Sequence, residues 1–436
     1  MDEKHILSQL TVSTSLEADH GMVEEQSEIH DDESLPCADL KPASNAAPSP
    51  EDKVVSYIES QLSSILCQLC SQDGTPSITI NRRSARQSGC VLNQDTGALE
   101  STSTVRVVPH TYSWPGKTAQ ETWRFATILR ILGHIHEAIK GDFTSTKRDL
   151  YYLDPVHFGK QAVVDRYVDD IAFTIGVDRA ALHVQAAAKG LVAGHFTIFL
   201  ENGARIQVGN FSEGLLIPRV ESIERVEMAD INWILVVEKE AVFHRLIISR
   251  YHEVSSAGKG IILTGKGYPD LSTRQFLRFL STQTSETHLT PPEIFVLVDG
   301  DPDGISIMST YKYGSLAQAH DNKHLNVPNI HWFGLKTSEF AMNMAQRHAT
   351  SSDRAKVRGG VAHSLMSLRP RDRKKAMSML ENSPIVAEDG PEREWREELQ
   401  KMLILNVKAE IEVLYDIDGE IDGWLDRRLK KTWDEE

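Results

Sequence analysis

"EIFVLVDGDPDG", residues 293–304, runs from an unbroken apolar stretch straight into three closely spaced aspartates. An apolar run of this kind, with no polar alternation, matches a strand buried on both faces, as in a parallel sheet covered on each side. Two other runs share this character, "INWILVVE" at 231–238 and "KGIILTG" at 259–265, and a helical pattern, "STRQFLRFLSTQ" at 272–283, lies between the strands. Strands alternating with helices predict a compact α/β domain with a parallel core from Met228 to about Phe340.

In such sheets functional groups gather at the carboxyl ends of the strands. One run ends in Glu238 and another in Asp299-Gly300-Asp301. Strand periodicity puts Asp299 and Asp301 on one side, and Gly300 between them permits close approach of backbone or ligand. Like charges this close repel unless a proton or a cation intervenes. With no His or Cys alongside, the fitting ion is hard and oxygen-preferring, most simply Mg2+ set against phosphate. Asp303 and Glu240 read as further ligands or as solvated charges. The competing reading is plain turn chemistry, for which Asp-Gly-Asp-Pro-Asp-Gly is also well suited.

Upstream the pattern is different. Helical periodicity covers residues 51–70, "AQETWRFATILRILGHIHEAIKGD" at 119–142 and "GKQAVVDRYVDDIAFTIGV" at 159–177. "HFTIFLENGARIQVG" at 195–209 places two β-rich runs around Asn202-Gly203, a strong hairpin signal. Helices followed by a hairpin predict a winged helix-turn-helix that docks on DNA, against the plainer reading of a small α+β domain. Beside these helices stands "KRDLYYLDPVHF", residues 147–158. Its tyrosine pair suits a half-buried surface with wet hydroxyls, or else one hydroxyl is a nucleophile. Downstream, "SLMSLRPRDRKKAMSML" at 364–380 reads as a basic connector and helix, and residues 392–416 as one long helix.

A chain of 436 residues has room for two or three domains. Its net charge of −15 is unevenly spread: residues 1–50 hold eleven acids and two bases, which is −9, leaving −6 for the rest. That first segment has no aromatic residue and ends in "KPASNAAPSP", so it is expected to be disordered, and basic surfaces elsewhere stay compatible with nucleic acid. No apolar run reaches the roughly 18 residues of a membrane span, and the N-terminus lacks the pattern of a secretory signal, so an intracellular protein is expected. Cysteines at 37, 67, 70 and 90 make no disulfide framework; Cys67 and Cys70 fall in a helical pattern and read as helix packing, with no second pair to complete a zinc site. "GKGIILTGKG" at 258–267 lacks the spacing of a phosphate-cradling loop, so ATP binding is rejected.

Together, residues 146–177, "AAAKGLVAG", "VVEKEAVF", "LTGKGYPDLSTRQFLRFL", "VLVDGDPDGISIMSTYKYGS" and "IHWFGL" resemble the A-type chain of topoisomerase VI. They are closer still to its eukaryotic relative, which makes programmed meiotic double-strand breaks. The resemblance runs in order over residues 51–436, leaving out the acidic tail and a loop near 83–108. It implies a mixed α/β protein: a disordered tail at 1–50, a CAP-like winged-helix domain at 51–220, a Toprim domain at 221–345, and a basic connector with C-terminal helices at 346–436. Tyr152 matches the family's nucleophile and Arg148 the arginine four positions earlier. Glu238, Asp299 and Asp301 match the Mg2+ ligands. Lys189 and Tyr268 match positions turned toward DNA, and Lys147, Lys266 and Arg274 are basic neighbours expected against phosphates. Asp303 stands where the family most often has an aromatic residue or histidine, adding a charge.

The implied activity is meiotic DNA double-strand-break formation in the nucleus by transesterification, leaving a 5′-phosphotyrosyl link and a free 3′ hydroxyl. One tyrosine cuts one strand, so two protomers are needed, with the tyrosine of one meeting the acids of the other. The implied partners are duplex DNA, a second copy of the chain, an ATPase partner of the topoisomerase VI B type and meiotic accessory proteins. Three alternatives are a topoisomerase VI A-type chain that reseals its breaks, a non-catalytic DNA-binding recombination scaffold, and a Toprim hydrolase that cuts with water.

Overall fold

The structure, a computed structural model, describes residues 48–71, 74–83, 90–101, 107–185, 188–283, 291–315, 322–340, 365–416 and 420–434. Residues 1–47 of the acidic first segment, with Cys37, and residues 341–364 lie outside the described residues. Among the described residues no helix is long and apolar enough to cross a membrane.

The first helix, α1 (Pro50–Cys70), starts where local chemistry dictates. Ser49 caps it, Asp52 completes a capping box, and Pro50 takes a first-turn position whose N–H would be unpaired anyway. Strands β1 (Ser77–Arg83), β2 (Cys90–Leu92), β3 (Leu99–Ser101) and β4 (Val107–Ser113) follow. Helices α2 (Ala119–Lys140), α3 (Lys147–Leu153), α4 (Pro155–Phe158) and α5 (Gln161–Ile175) come next, with short strands β5 (Ser145–Thr146) and β6 (Val184–Gln185). Spacings of three and four on α2 and α5 bring Ile128, Ile131, Ile135, Val164, Val168 and Ile171 into one core. β1 and β4 pair antiparallel and add Ile78 and Ile80 to it. Cys67 and Cys70 are exposed and unlinked, so the packing expected of them is absent.

A second core is built mostly from residues after Val184, with Leu99 joining it. β7 (Leu191–Gly194), β8 (Thr197–Leu200), β9 (Arg205–Gln207), β10 (Leu215–Leu216), β11 (Ile223–Glu227), β12 (Ile231–Val237), β13 (Lys259–Thr264), β14 (Glu293–Leu297) and β15 (Ile330–Gly334) belong to it. Six of these form one sheet in the order β10-β7-β13-β12-β14-β15. β13, β12, β14 and β15 run parallel, and β7 pairs antiparallel at one side. Alternate residues of β12 serve opposite faces: Ile234 and Val236 in one cluster, Trp233, Leu235 and Val237 in the other.

The predicted hairpin forms, with Gly203 at φ 79° in its turn, but it is no wing on the helices before it. β8 pairs with β11 as well as β9, and Phe196, Ile198 and Val208 pack with Ile234 and Ile261 of the large sheet. The hairpin expected among the helices thus packs in the second core, and the strand pair beside the helices is β1 with β4. A hairpin's turn is local chemistry, whereas the surface it covers is not.

The C-terminal region also differs from expectation. Residues 392–416 do not make one helix: Arg393–Leu405 ends at Asn406, whose φ of 54° is left-handed. Residues 408–409 form a strand, β17, paired with β16 (Leu365–Met366), and Ile411–Asp416 is a short 3-10 helix. Nor is the region a separate body. Leu368, Ala376, Trp395, Leu399 and Met402 cover one face of the sheet, and Ile411, Leu414, Leu425 and Leu429 the other. By area, each such buried leucine contributes about 2 kcal/mol, so the sheet is closed by chain that comes last.

Candidate metal centre and nucleophile

β12 and β14 are neighbours at the middle of the parallel sheet, so the residues just past them meet at its carboxyl edge. Glu238 accepts a hydrogen bond from the Asp299 backbone N–H at 2.9 Å. β14 ends at Leu297, so the strand alternation read from sequence does not reach the aspartates. Asp301 is placed instead as the N-cap of α9 (Pro302–Lys312), where it accepts from the Gly304 N–H at 2.8 Å. Only glycine fits at 304, because a Cβ there would lie 2.2 Å from the Asp299 carbonyl oxygen. Between α5 and α9 the chain also forms α6 (Glu240–Ile248), α7 (Tyr251–Val254) and α8 (Leu271–Leu280).

The last segment of the chain completes this edge. Gly300 and Ala409 exchange backbone hydrogen bonds at 2.8 and 3.1 Å, and the Ile411 N–H reaches Asp299 Oδ1 at 2.9 Å. Lys408 lies 3.6 Å from Asp301 and 2.8 Å from Asp372. Lys239 lies 3.2 Å from Asp299, 2.6 Å from Glu412 and 3.4 Å from Glu410. Sequence reasoning missed both lysines. Lys239 directly follows Glu238 and was findable; Lys408 carries no local signal.

Burial, and then the charge of Asp299, push the Glu238 carboxyl up to about 8, and burial raises Asp299 to about 6. Burial alone would lower Lys239, but the Asp299 and Glu412 carboxylates outweigh it and raise it. Among the described residues no three acid, His or Cys side chains are already gathered to hold an ion. Asp299 and Asp301 are held by the two lysines. The donor chemistry nevertheless fits a hard cation: oxygens only, desolvated, with a carboxyl that its neighbours' charges drive toward the protonated form.

This has a testable consequence. A carboxyl raised in the folded state holds its proton where the unfolded chain has released it, so its stabilising contribution is present at low pH and fades as pH rises. In EDTA the unfolding free energy should fall between about pH 5 and 8, by at most about 1.4 kcal/mol per pH unit per titrating group, and the melting temperature should fall with it. Added Mg2+ should reverse the fall at the alkaline end. A melting curve independent of pH and Mg2+ would contradict the site.

The two further acids are engaged elsewhere. Glu240 pairs with Lys266 at 2.9 Å, and Asp303 pairs with Lys375 and accepts from the Tyr268 hydroxyl at 3.2 Å. Lys189 is a staple: its ammonium donates to the carbonyls of Lys266 and Tyr268 at 3.2 and 2.7 Å, which shapes the loop carrying Tyr268. Tyr268 itself is 42% exposed. Two expected DNA contacts are corrected. Arg274 is 1% exposed and donates to Asn322 at 3.3 Å, since it lies on the inner face of α8. Lys147 is 8% exposed, paired with Asp169 at 2.8 Å and donating to the Asp165 carbonyl. Neither side chain is at the surface to meet a phosphate.

The tyrosines sit on α3, a two-turn helix that depends on its cap. Thr146 accepts from the Asp149 N–H, and Asp149 returns a bond to the Thr146 N–H. Leu150 anchors the helix in the first core. Helical spacing then sends the two rings different ways: Tyr151 packs on that core, while Tyr152 is 58% exposed. Arg148, one turn earlier on the same face, donates to the Tyr152 hydroxyl at 3.4 Å, with its guanidinium 5.7 Å from the ring centre. An exposed phenol next to a guanidinium is an arrangement suited to meeting an anion.

Comparison with known proteins matches this architecture. Residues 233–422 match the family model for the Topoisomerase 6A/Spo11 Toprim domain, and residues 123–184 the model for Type IIB DNA topoisomerase. The meiotic recombination protein SPO11 of Mus musculus is 32% identical, over 86% of each chain. The meiotic recombination protein rec12 of Schizosaccharomyces pombe is 35% identical over 76% of this chain and 84% of its own. The A-type chain of DNA topoisomerase 6 from Arabidopsis thaliana is 30% identical over 83% of this chain and 76% of its own. With a Toprim sheet carrying its acids at the carboxyl edge and an exposed tyrosine within the second matched region, the chain belongs to the topoisomerase 6A/Spo11 family.

Proposed function

We propose that this protein makes meiotic DNA double-strand breaks by transesterification, with Tyr152 as nucleophile. The observation that carries the proposal is the exposed Tyr152 hydroxyl paired with Arg148, in a chain that also holds the Toprim acids. The elements around the first core serve as the winged-helix domain, with β1 and β4 as its strand pair. The phenolic oxygen attacks phosphorus, forming the Tyr–O–P bond as the P–O3′ bond breaks. The phenol's proton leaves to solvent and the departing 3′ oxygen takes one up, so no water is consumed and the step is reversible. Arg148 stabilises the phenolate before attack and the phosphate charge during it.

Glu238, Asp299 and Asp301 would hold a Mg2+ ion, which would supply Lewis-acid stabilisation of phosphoryl charge. Lys239 and Lys408 hold Asp299 and Asp301 in place at the sheet edge. Two copies of the chain, each contributing a tyrosine to the acids of the other, cut both strands. The partners are duplex DNA and an ATPase of the topoisomerase VI B type, and the place of action is the nucleus. Break positions carry little sequence preference, because phosphate contacts fix register without reading bases.

The test is recovery of the protein from meiotic cells under denaturing conditions, followed by a search for covalently attached short DNA. Breaks without protein-linked 5′ ends would overturn the reading. The second reading, a topoisomerase chain that reseals duplex DNA, is favoured by the identity to the Arabidopsis topoisomerase 6 protein. Relaxation or decatenation by the chain with its ATPase partner would decide for it.

A further inference from the structure

The structure gives the charge of Asp303 a partner. The loop at 265–270 turns through Lys266 and Gly267, both at positive φ, and its base is fastened by Lys189. That fixes the backbone and leaves the Tyr268 ring to be oriented. Its hydroxyl donates to Asp303 Oδ1 at 3.2 Å. Lys375, on the helix Pro370–Asn382, bonds both that hydroxyl and Asp303, and its ammonium lies 5.1 Å from the ring centre. Three elements distant in sequence thus converge on one partly exposed aromatic ring, and one of its anchors, Asp303, is two residues from the acid that caps α9.

We infer that Asp303 and Lys375 are positioning residues that hold the Tyr268 ring at a set angle beside the acid centre, where it meets the sugar–base edge of the DNA strand being cut. The inference rests on the proposed function and deepens it. Lys375 also cancels the charge of Asp303, which would otherwise repel a nearby phosphate. The hydroxyl of Tyr268 is the handle, since phenylalanine would offer the same ring without an anchor. An aromatic ring against a base is sequence-tolerant, and holding it in advance removes the cost of ordering it on binding.

The test is a double-mutant cycle in the assembled cleavage complex, with a labelled duplex and Mg2+. Tyr268→Phe and Asp303→Ala should each lower the cleavage rate by about 3- to 10-fold, the scale of one lost hydrogen bond. The double variant should cut no more slowly than the slower single, because both break the same link. Lys375→Met should fall in the same range and Lys375→Arg should recover most of the loss. The Mg2+-dependent rise in melting temperature should be retained throughout, which a general loosening of the site would not allow. Losses that multiply, or a Tyr268→Phe protein that cuts at the full rate, would overturn the inference while leaving the proposed function standing. A wild-type complex that forms no covalent adduct would overturn both.

Discussion

Tyr152→Phe should remove covalent protein–DNA adducts and double-strand breaks altogether, a fall of more than about 10^4-fold, comparable to deleting a nucleophile elsewhere. The variant isolates one atom. Phenylalanine keeps the ring against Tyr151, 5.4 Å away between centres, and keeps Arg148 close to its face. Because the hydroxyl is at the surface, its loss should leave the melting temperature within about 2 °C and duplex binding unchanged. The neighbouring Tyr151→Phe is the internal control, since Tyr151 packs on the first core and is expected to be far milder. Adducts surviving in Tyr152→Phe but lost in Tyr151→Phe would transfer the role to Tyr151. Adducts surviving in both would remove the tyrosine mechanism.

Asp301→Asn should cost at least about 100-fold in cleavage and abolish the Mg2+-dependent rise in melting temperature, as expected for the loss of a charged ligand oxygen. Asparagine is chosen because it caps helices as well as aspartate does, so the bond to the Gly304 N–H and the start of α9 are retained. The ion pair with Lys408 is weakened, but Lys408 keeps Asp372 at 2.8 Å. Fold and metal response therefore separate in one variant. Full cleavage with a normal Mg2+ response would refute the assignment of Asp301, whatever the fate of Tyr152.

Much of this was legible in the residues. The apolar runs at 231–237, 259–264 and 293–297 became the central strands. Such runs have no stable fate other than burial on both faces. Asn202-Gly203 marked a turn that formed, and the acid at each strand end came to the sheet edge where functional groups gather. Other readings failed for an identifiable reason. In "KRD" one base turns inward and one outward, and no periodicity in seven residues distinguishes them; Asp169 on α5 settles it by pairing with Lys147. In α8 the pattern shows a strongly two-sided helix, yet Arg274 falls on the inner side because Asn322 waits there.

By itself the sequence determined the elements, their caps and turns, and the kind of chemistry present: a tyrosine beside an arginine, and carboxylates after buried strands. These follow from hydrogen bonds and side-chain spacings that reach only a few residues along the chain. Only the tertiary structure decided which core owns the hairpin and which bases are buried. It also decided that the acid centre is finished by Lys408 and Ile411, the latter reaching Asp299 from 112 residues away. The physical reason is that a charge or an edge is satisfied by whatever packing brings within a few ångströms, and separation along the chain does not limit what that can be.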